Sequence, residues 1–189
     1  LSNAGTAYVV FGKADNGSVD LANLGGSGFQ IDGLDPGDRF GHSVSGAGDV
    51  NGDGLDDLII GAPVAGESYV VFGKAGATSI DLADLGNDGF QIGGVADFYG
   101  GSGLFGSSVS GAGDVNGDGL DDLIIGAPLF FKDALGPAGR SYVVFGKADS
   151  ANVDINNLGN GGFGIDGIDS GDESGLSVSG AGDVNGDGL

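Results

Sequence analysis

A string of 21 residues, SVSGAGDVNGDGLDDLIIGAP, occurs letter for letter at 43–63 and at 108–128, and its first 13 letters return at 177–189. Self-similarity at a spacing of 60 to 70 residues constrains the fold before anything else, because it demands a stacked array of one supersecondary unit. Gly (44 residues) and Pro (4 residues) make up about a quarter of the 189, a proportion that without a period would suggest disorder. The period overrides that reading. The chain begins just before the apolar AYVVFG and stops inside the third copy, so both ends are expected to be cut from a longer array.

Three markers recur in fixed order: the loop aspartate (Asp49, Asp114, Asp183), the tyrosine of YVVFGK (Tyr8, Tyr69, Tyr142) and the phenylalanine of GF(Q/G)I (Phe29, Phe90, Phe163). Tyrosine to phenylalanine is 21 residues in all three copies. Phenylalanine to the next loop aspartate is 20, 24 and 20, and loop aspartate to tyrosine is 20 and then 28, which places insertions of four residues within 93–104 and eight within 129–140. Insertions belong in loops, so the rigid elements lie between them.

Each unit reads as four short strands, at 42–48, 56–62, 68–73 and 89–93 in the first complete copy, rich in Val, Ile, Tyr and Phe and separated by Gly, Pro, Asn and Asp. No ten-residue helical period competes, although VDLANLG at 19–25 has room for one short turn. Leu58, Ile59 and Ile60 are consecutive, so both faces of that strand need cover. Four-stranded antiparallel sheets packed between neighbours are the blades of a β-propeller, an all-β fold, here an incomplete fragment of about three blades. A parallel β-helix has much shorter repeats. The units are 1–35 (two strands of a partial blade), 36–96 (complete), 97–169 (complete, with the insertions) and 170–189 (a first strand and part of a loop).

With 27 acidic and 6 basic side chains the net charge is −21, which disfavours nucleic acid and anionic membranes and favours cations. Ten of the acids sit in the repeated loops. In DVNGDGLDD the side-chain oxygens fall at positions 1, 3, 5 and 9, and the carbonyl at position 7 is free to turn inward. The expected ligands are Asp49, Asn51, Asp53, the Leu55 backbone and Asp57 in one loop, and Asp114, Asn116, Asp118, the Leu120 backbone and Asp122 in the next. Asp183, Asn185 and Asp187 begin a third set. Five oxygen donors without nitrogen or sulfur suit Ca²⁺, with Mg²⁺ second because it demands tighter octahedral geometry. Asp56, turned away from Asp57 by strand alternation, is read as solvated. An EF-hand shares the loop's opening but needs an acid at position 12, where Ile60 and Ile125 stand, and helices on both sides. A dockerin-like pair is also helical, with its copies closer together. An acidic turn that binds nothing would crowd like charges at a cost in stability.

The brackets around these loops, Phe40–Gly41 with Gly61–Pro63 and Phe105–Gly106 with Gly126–Pro128, resemble the FG-GAP repeat of integrin α-subunit propellers and related bacterial proteins. The resemblance implies a seven-bladed propeller, and adhesion as a function. Ser174–Gly175 departs from the pattern in the last copy.

Catalysis is not expected. The single histidine, His42, corresponds to Ser107 and Leu176 in the other copies, cysteine is absent, and no Ser-His-Asp set or phosphate-binding GxxxxGK[ST] is present. No run approaches the roughly 20 apolar residues of a membrane span. Loops of moderate calcium affinity fill where calcium is near millimolar, which points to an extracellular setting, secreted or at the cell surface. The expected role is a calcium-binding adhesion or ligand-binding module; the alternatives are a non-catalytic propeller attached to a secreted hydrolase and a purely structural array. A protein or glycan ligand is expected on the face opposite the calcium loops, where Phe130, Phe131, Lys132 and Arg140 gather aromatic and basic groups in the longer insertion; the alternative is a longer surface loop whose phenylalanines cover the neighbouring blade.

Overall fold

The computed structural model describes residues 4–94, 101–134 and 136–189. The four-residue insertion within 93–104 therefore falls largely outside the described residues. Strands β1 (Thr6–Val10) and β2 (Gly28–Asp32) form an antiparallel pair. The first complete blade is a meander of β3 (Ser43–Gly48), β4 (Asp57–Ala62), β5 (Glu67–Val71) and β6 (Gly89–Gly93), each antiparallel to the next. The second repeats it with β7 (Ser108–Gly113), β8 (Asp122–Ala127), β9 (Arg140–Val144) and β11 (Gly162–Asp166). The chain is thus all-β, a partial propeller whose strands match the sequence-derived spans to within two residues at each end.

The unbroken apolar runs of β4 and β8 are explained by the stacking. Ile60 faces back to pack with Phe29, Ile31, Tyr69 and Val71, while Ile59 faces forward into a second cluster with Phe90, Phe105, Leu123, Ile125 and Val144. One sheet supplies both cores, and alternate residues of one strand enter different ones. The FG pair does part of this work: Phe40 and Phe105 are buried and meet Tyr69 and Tyr142 edge to face, at ring-centroid distances of 5.7 and 5.5 Å.

Blades are also joined through their backbones. The short strand β10 (Val153–Asp154) adds in parallel to β6 of the preceding blade, pairing Val153 with Ile92, and an Ile31–Ile80 bridge repeats the arrangement one blade earlier. The expected short turn at 19–25 is a 3-10 helix, Leu21–Asn23, and it recurs at Leu82–Asp84 and Ile155–Asn157, each opened by an aspartate (Asp20, Asp81, Asp154) that accepts a backbone N–H.

Residues 177–182, expected as a first strand, are not a strand. They follow the course of β7 through Val178 N–H to Ser108 Oγ and Gly180 N–H to Ser110 Oγ. A β-ladder needs backbone partners, and these two contacts run instead through the serine hydroxyls of β7. Among the described residues no helix is long and apolar enough to cross a membrane.

Candidate metal centre

A β-bulge ends β3 before Asp49 and another ends β7 before Asp114, with Gly48 and Gly113 at φ 73° and 74°. The left-handed glycine turns the chain out of the ladder and starts the loop. From there the loop winds around its first carboxylate. Asp49 Oδ1 accepts the N–H of Gly52 (2.8 Å) and Asp53 (3.0 Å), and Oδ2 accepts that of Gly54 (2.9 Å). Asn51 Oδ1 accepts from Asp53 N, Asn51 Nδ2 donates to Asp53 Oδ2, and Asp53 Oδ1 accepts from Leu55 N. Every one of these bonds recurs among Asp114, Asn116, Gly117, Asp118, Gly119 and Leu120. They recur again in the last copy, among Asp183, Asn185, Gly186, Asp187, Gly188 and Leu189. Positions 1 to 7 therefore suffice to shape the loop.

Position 9 behaves differently. Asp57 and Asp122 are the first residues of β4 and β8 and are 1% and 0% exposed. Asp57 Oδ2 accepts from Val50 N (2.9 Å) and Oδ1 from Gly73 N (2.8 Å), which ties the loop's start to the end of β5; Asp122 does the same with Val115 and Gly146. Burial pushes both carboxyls above the ordinary value of 3.8, the two backbone N–H bonds oppose it, and the charges of positions 5 and 1 add to it. Each of these two loops thus holds a desolvated acid that feels the charge of two further acids, and among the described residues no lysine or arginine forms an ion pair with it.

The residues fit a hard cation in type and number, all oxygen donors. In the arrangement described the carboxylates are held by backbone N–H groups, and no three acids or histidines among the described residues are drawn into one cluster. Apart from Asp49 Oδ1, however, each side-chain oxygen of Asp49, Asn51, Asp53 and Asp57 takes a single hydrogen bond and keeps a lone pair.

Two contributors escaped the sequence reading. Asp56 is exposed as expected, but its counterpart Asp121 accepts the backbone N–H of Asp49 at 2.8 Å, across 72 residues. The lysine of YVVFGK reaches back to the preceding blade: Lys74 Nζ lies 4.8 Å from the ring centroid of Phe29, and Lys147 Nζ 4.3 Å from that of Phe90. Its recurrence five residues after Tyr8, Tyr69 and Tyr142 was the available signal.

The aromatic and basic residues of the longer insertion are mostly turned inward. Phe130 is buried, packed edge to face on Tyr142, and Arg140 lies over both rings, at 5.3 and 5.0 Å from their centroids. Arg140 Nε is 3.0 Å from Asp166 Oδ1, a charge contact without hydrogen-bond alignment, and Lys132 Nζ is 3.0 Å from Asp166 Oδ2. Phe131 is half-buried, and only Lys132 is exposed. Phe130 is therefore a core residue and not a presented contact: its ring fills the space beside Tyr142 under the added loop.

Compared with known proteins, residues 40–80 and 105–144 match the FG-GAP repeat model. The chain is similar to Integrin alpha pat-2 of Caenorhabditis elegans, 40% identical over 95 residues that cover 47% of this chain and 7% of that protein. It is 33% identical over 117 residues to Integrin alpha-IIb of Homo sapiens (56% of this chain, 10% of the relative) and 30% identical over 151 residues to Integrin alpha-8 of Gallus gallus (77% and 14%). The chain spans between 7% and 14% of the length of these relatives.

Proposed function

Because the chain belongs to the FG-GAP repeat family, we propose that it is a calcium-stabilised propeller module of an extracellular protein, serving adhesion or ligand binding. The observation that carries the calcium reading is the pair of identical loops that each place four oxygen-bearing side chains along one turn, the last of them, Asp57 or Asp122, being buried with no ion pair among the described residues. Asp49, Asn51, Asp53 and Asp57, with the Leu55 carbonyl, would hold one ion; Asp114, Asn116, Asp118 and Asp122, with the Leu120 carbonyl, would hold the other. Asp183, Asn185 and Asp187 would begin a third set of the same kind.

The ion would supply positive charge to the carboxylates of positions 1, 5 and 9, drawing them together, and the protein's own groups do the rest. Backbone N–H groups orient Asp49 and Asp114, and Asp57 and Asp122 connect the loop to the end of β5 or β9. A filled loop would brace three strands of a blade at one end. The opposite end, carrying the 129–140 connection, would remain free to meet a protein or glycan, with Lys132 as an exposed cation.

Calorimetric titration of the metal-free chain with Ca²⁺ tests this. Two binding events that each raise the unfolding temperature and are reversed by EDTA are expected. No heat of binding and no change in unfolding temperature up to several millimolar calcium would refute the metal assignment.

A further inference from the structure

Successive loops touch. The backbone N–H of Asp49 donates to Asp121 Oδ2 at 2.8 Å, the Asp49 carbonyl accepts from Asp121 N at 3.1 Å, and the Val50 carbonyl accepts from Lys147 N at 2.9 Å. A methyl group at Gly48 would lie 2.1 Å from Asp121 Oδ2, and one at Gly52 would lie 3.0 Å from Leu120 Cδ2, so these two side chains press on the backbone of the earlier loop. Leu120 and Asp121 are positions 7 and 8 of the later loop, flanked by its own expected ligands Asp118 and Asp122. The leucine contact repeats one blade on, where a methyl at Gly117 would lie 3.0 Å from Leu189 Cδ2. In the first complete blade the equivalent Leu55 and Asp56 are exposed, and residues 1–35 contain no such loop.

We propose that adjacent loops bind cations as a coupled series, with Leu120 and Asp121 as positioning residues through which the later loop preorganises the earlier one. The proposal rests on the calcium reading above. A cation on Asp118 and Asp122 restrains the segment between them, and that segment holds the backbone N–H and carbonyl of Asp49, where the earlier loop begins. Ordering already completed by one site lowers the entropy lost at the other, and the coupling acts equally in both directions. Asp122 is the natural relay, since its carboxylate answers to its own loop while its neighbour answers to the loop before.

The test is a Ca²⁺ titration of the 189-residue chain in which the amide resonances of Gly54 and Gly119 report the two loops separately. Emptying the later loop with Asp118→Ala, or with Asp118→Asn should alanine disturb folding, is expected to weaken calcium at the Gly54 loop by roughly fivefold. In an Asp121→Ala background, which keeps the Leu120 contact and the Asp121 N–H bond, the same substitution should have a smaller effect on that loop. Asp121→Asn, which keeps an oxygen for the Asp49 N–H, should retain most of the coupling, and Asp56→Ala should alter neither loop. If both loops bind calcium but Asp118→Ala leaves the Gly54 loop's affinity unchanged, the coupling is overturned while the calcium reading stands. If neither loop responds to calcium, both fall.

Discussion

Replacing Asp57 by alanine separates its structural role from its role as a ligand. Its carboxylate accepts from Val50 N at 2.9 Å and Gly73 N at 2.8 Å in a site only 1% exposed, so truncation strands two buried donors. Each bond to a charged acceptor contributes about 1.5–3 kcal/mol, while release of the desolvated charge, which burial and the nearby Asp53 and Asp49 disfavour, offsets part of the loss. A net cost of about 2–3 kcal/mol is expected in EDTA. At about 2–4 °C per kcal/mol for a chain of this size, that lowers the unfolding temperature by roughly 5–10 °C. In calcium at a hundredfold excess over Kd, an intact site adds about 2.7 kcal/mol that the variant cannot recover, so the gap should widen to about 5 kcal/mol. Thermal unfolding followed by circular dichroism, with and without EDTA, measures both increments, and Asp122→Ala should reproduce them. An equal loss in EDTA and in calcium would refute the ligand assignment; no loss in EDTA would refute the structural account.

Other expectations follow from neighbouring contacts. Lys147→Met keeps the apolar stem over Phe90 but removes the ammonium 4.3 Å from its ring, and should cost about 0.5–2 kcal/mol in chemical denaturation; no measurable change would remove the cation from the account of blade stacking. Phe130→Ser should destabilise by about 3–5 kcal/mol because the ring is buried on Tyr142, whereas Lys132→Ala should shift stability by under about 1 kcal/mol; the reverse order would return Phe130 to the surface. In metal-free protein the carboxyls of Asp57 and Asp122 should titrate above 3.8 by NMR. Because the folded value is raised, their contribution to stability is complete below 3.8 and is lost as pH rises through the folded value; midpoints at or below 3.8 would contradict their desolvation.

Much of the blade was legible because strand content and period are local. The spans 42–48, 56–62, 68–73 and 89–93 became Ser43–Gly48, Asp57–Ala62, Glu67–Val71 and Gly89–Gly93. The demand for cover on both faces of Leu58–Ile60 was met by two separate cores. The insertion at 129–140 was found by counting, but its composition left two readings open, phenylalanines that cover the blade or a presented surface; packing decides for the first at Phe130, and Arg140 helps seat the loop on Tyr142 and Asp166. Counting places a loop, whereas only packing decides which of its side chains turn inward.

The loops divide the two kinds of information most clearly. Seven residues, from the first aspartate to the leucine at position 7, wrap identically in all three copies, including Asp183–Leu189, where the bonds are made without positions 8 and 9. Their hydrogen bonds span five residues or fewer, so the sequence by itself determined the turn and the oxygens it gathers. Asp56 and Asp121, in contrast, occupy the same place in identical strings of 21 residues, yet one is exposed and the other holds the backbone of Asp49. Identical neighbours cannot distinguish them; the difference is whether another loop packs alongside, a contact 72 residues distant in the chain that only the stacking of blades decides.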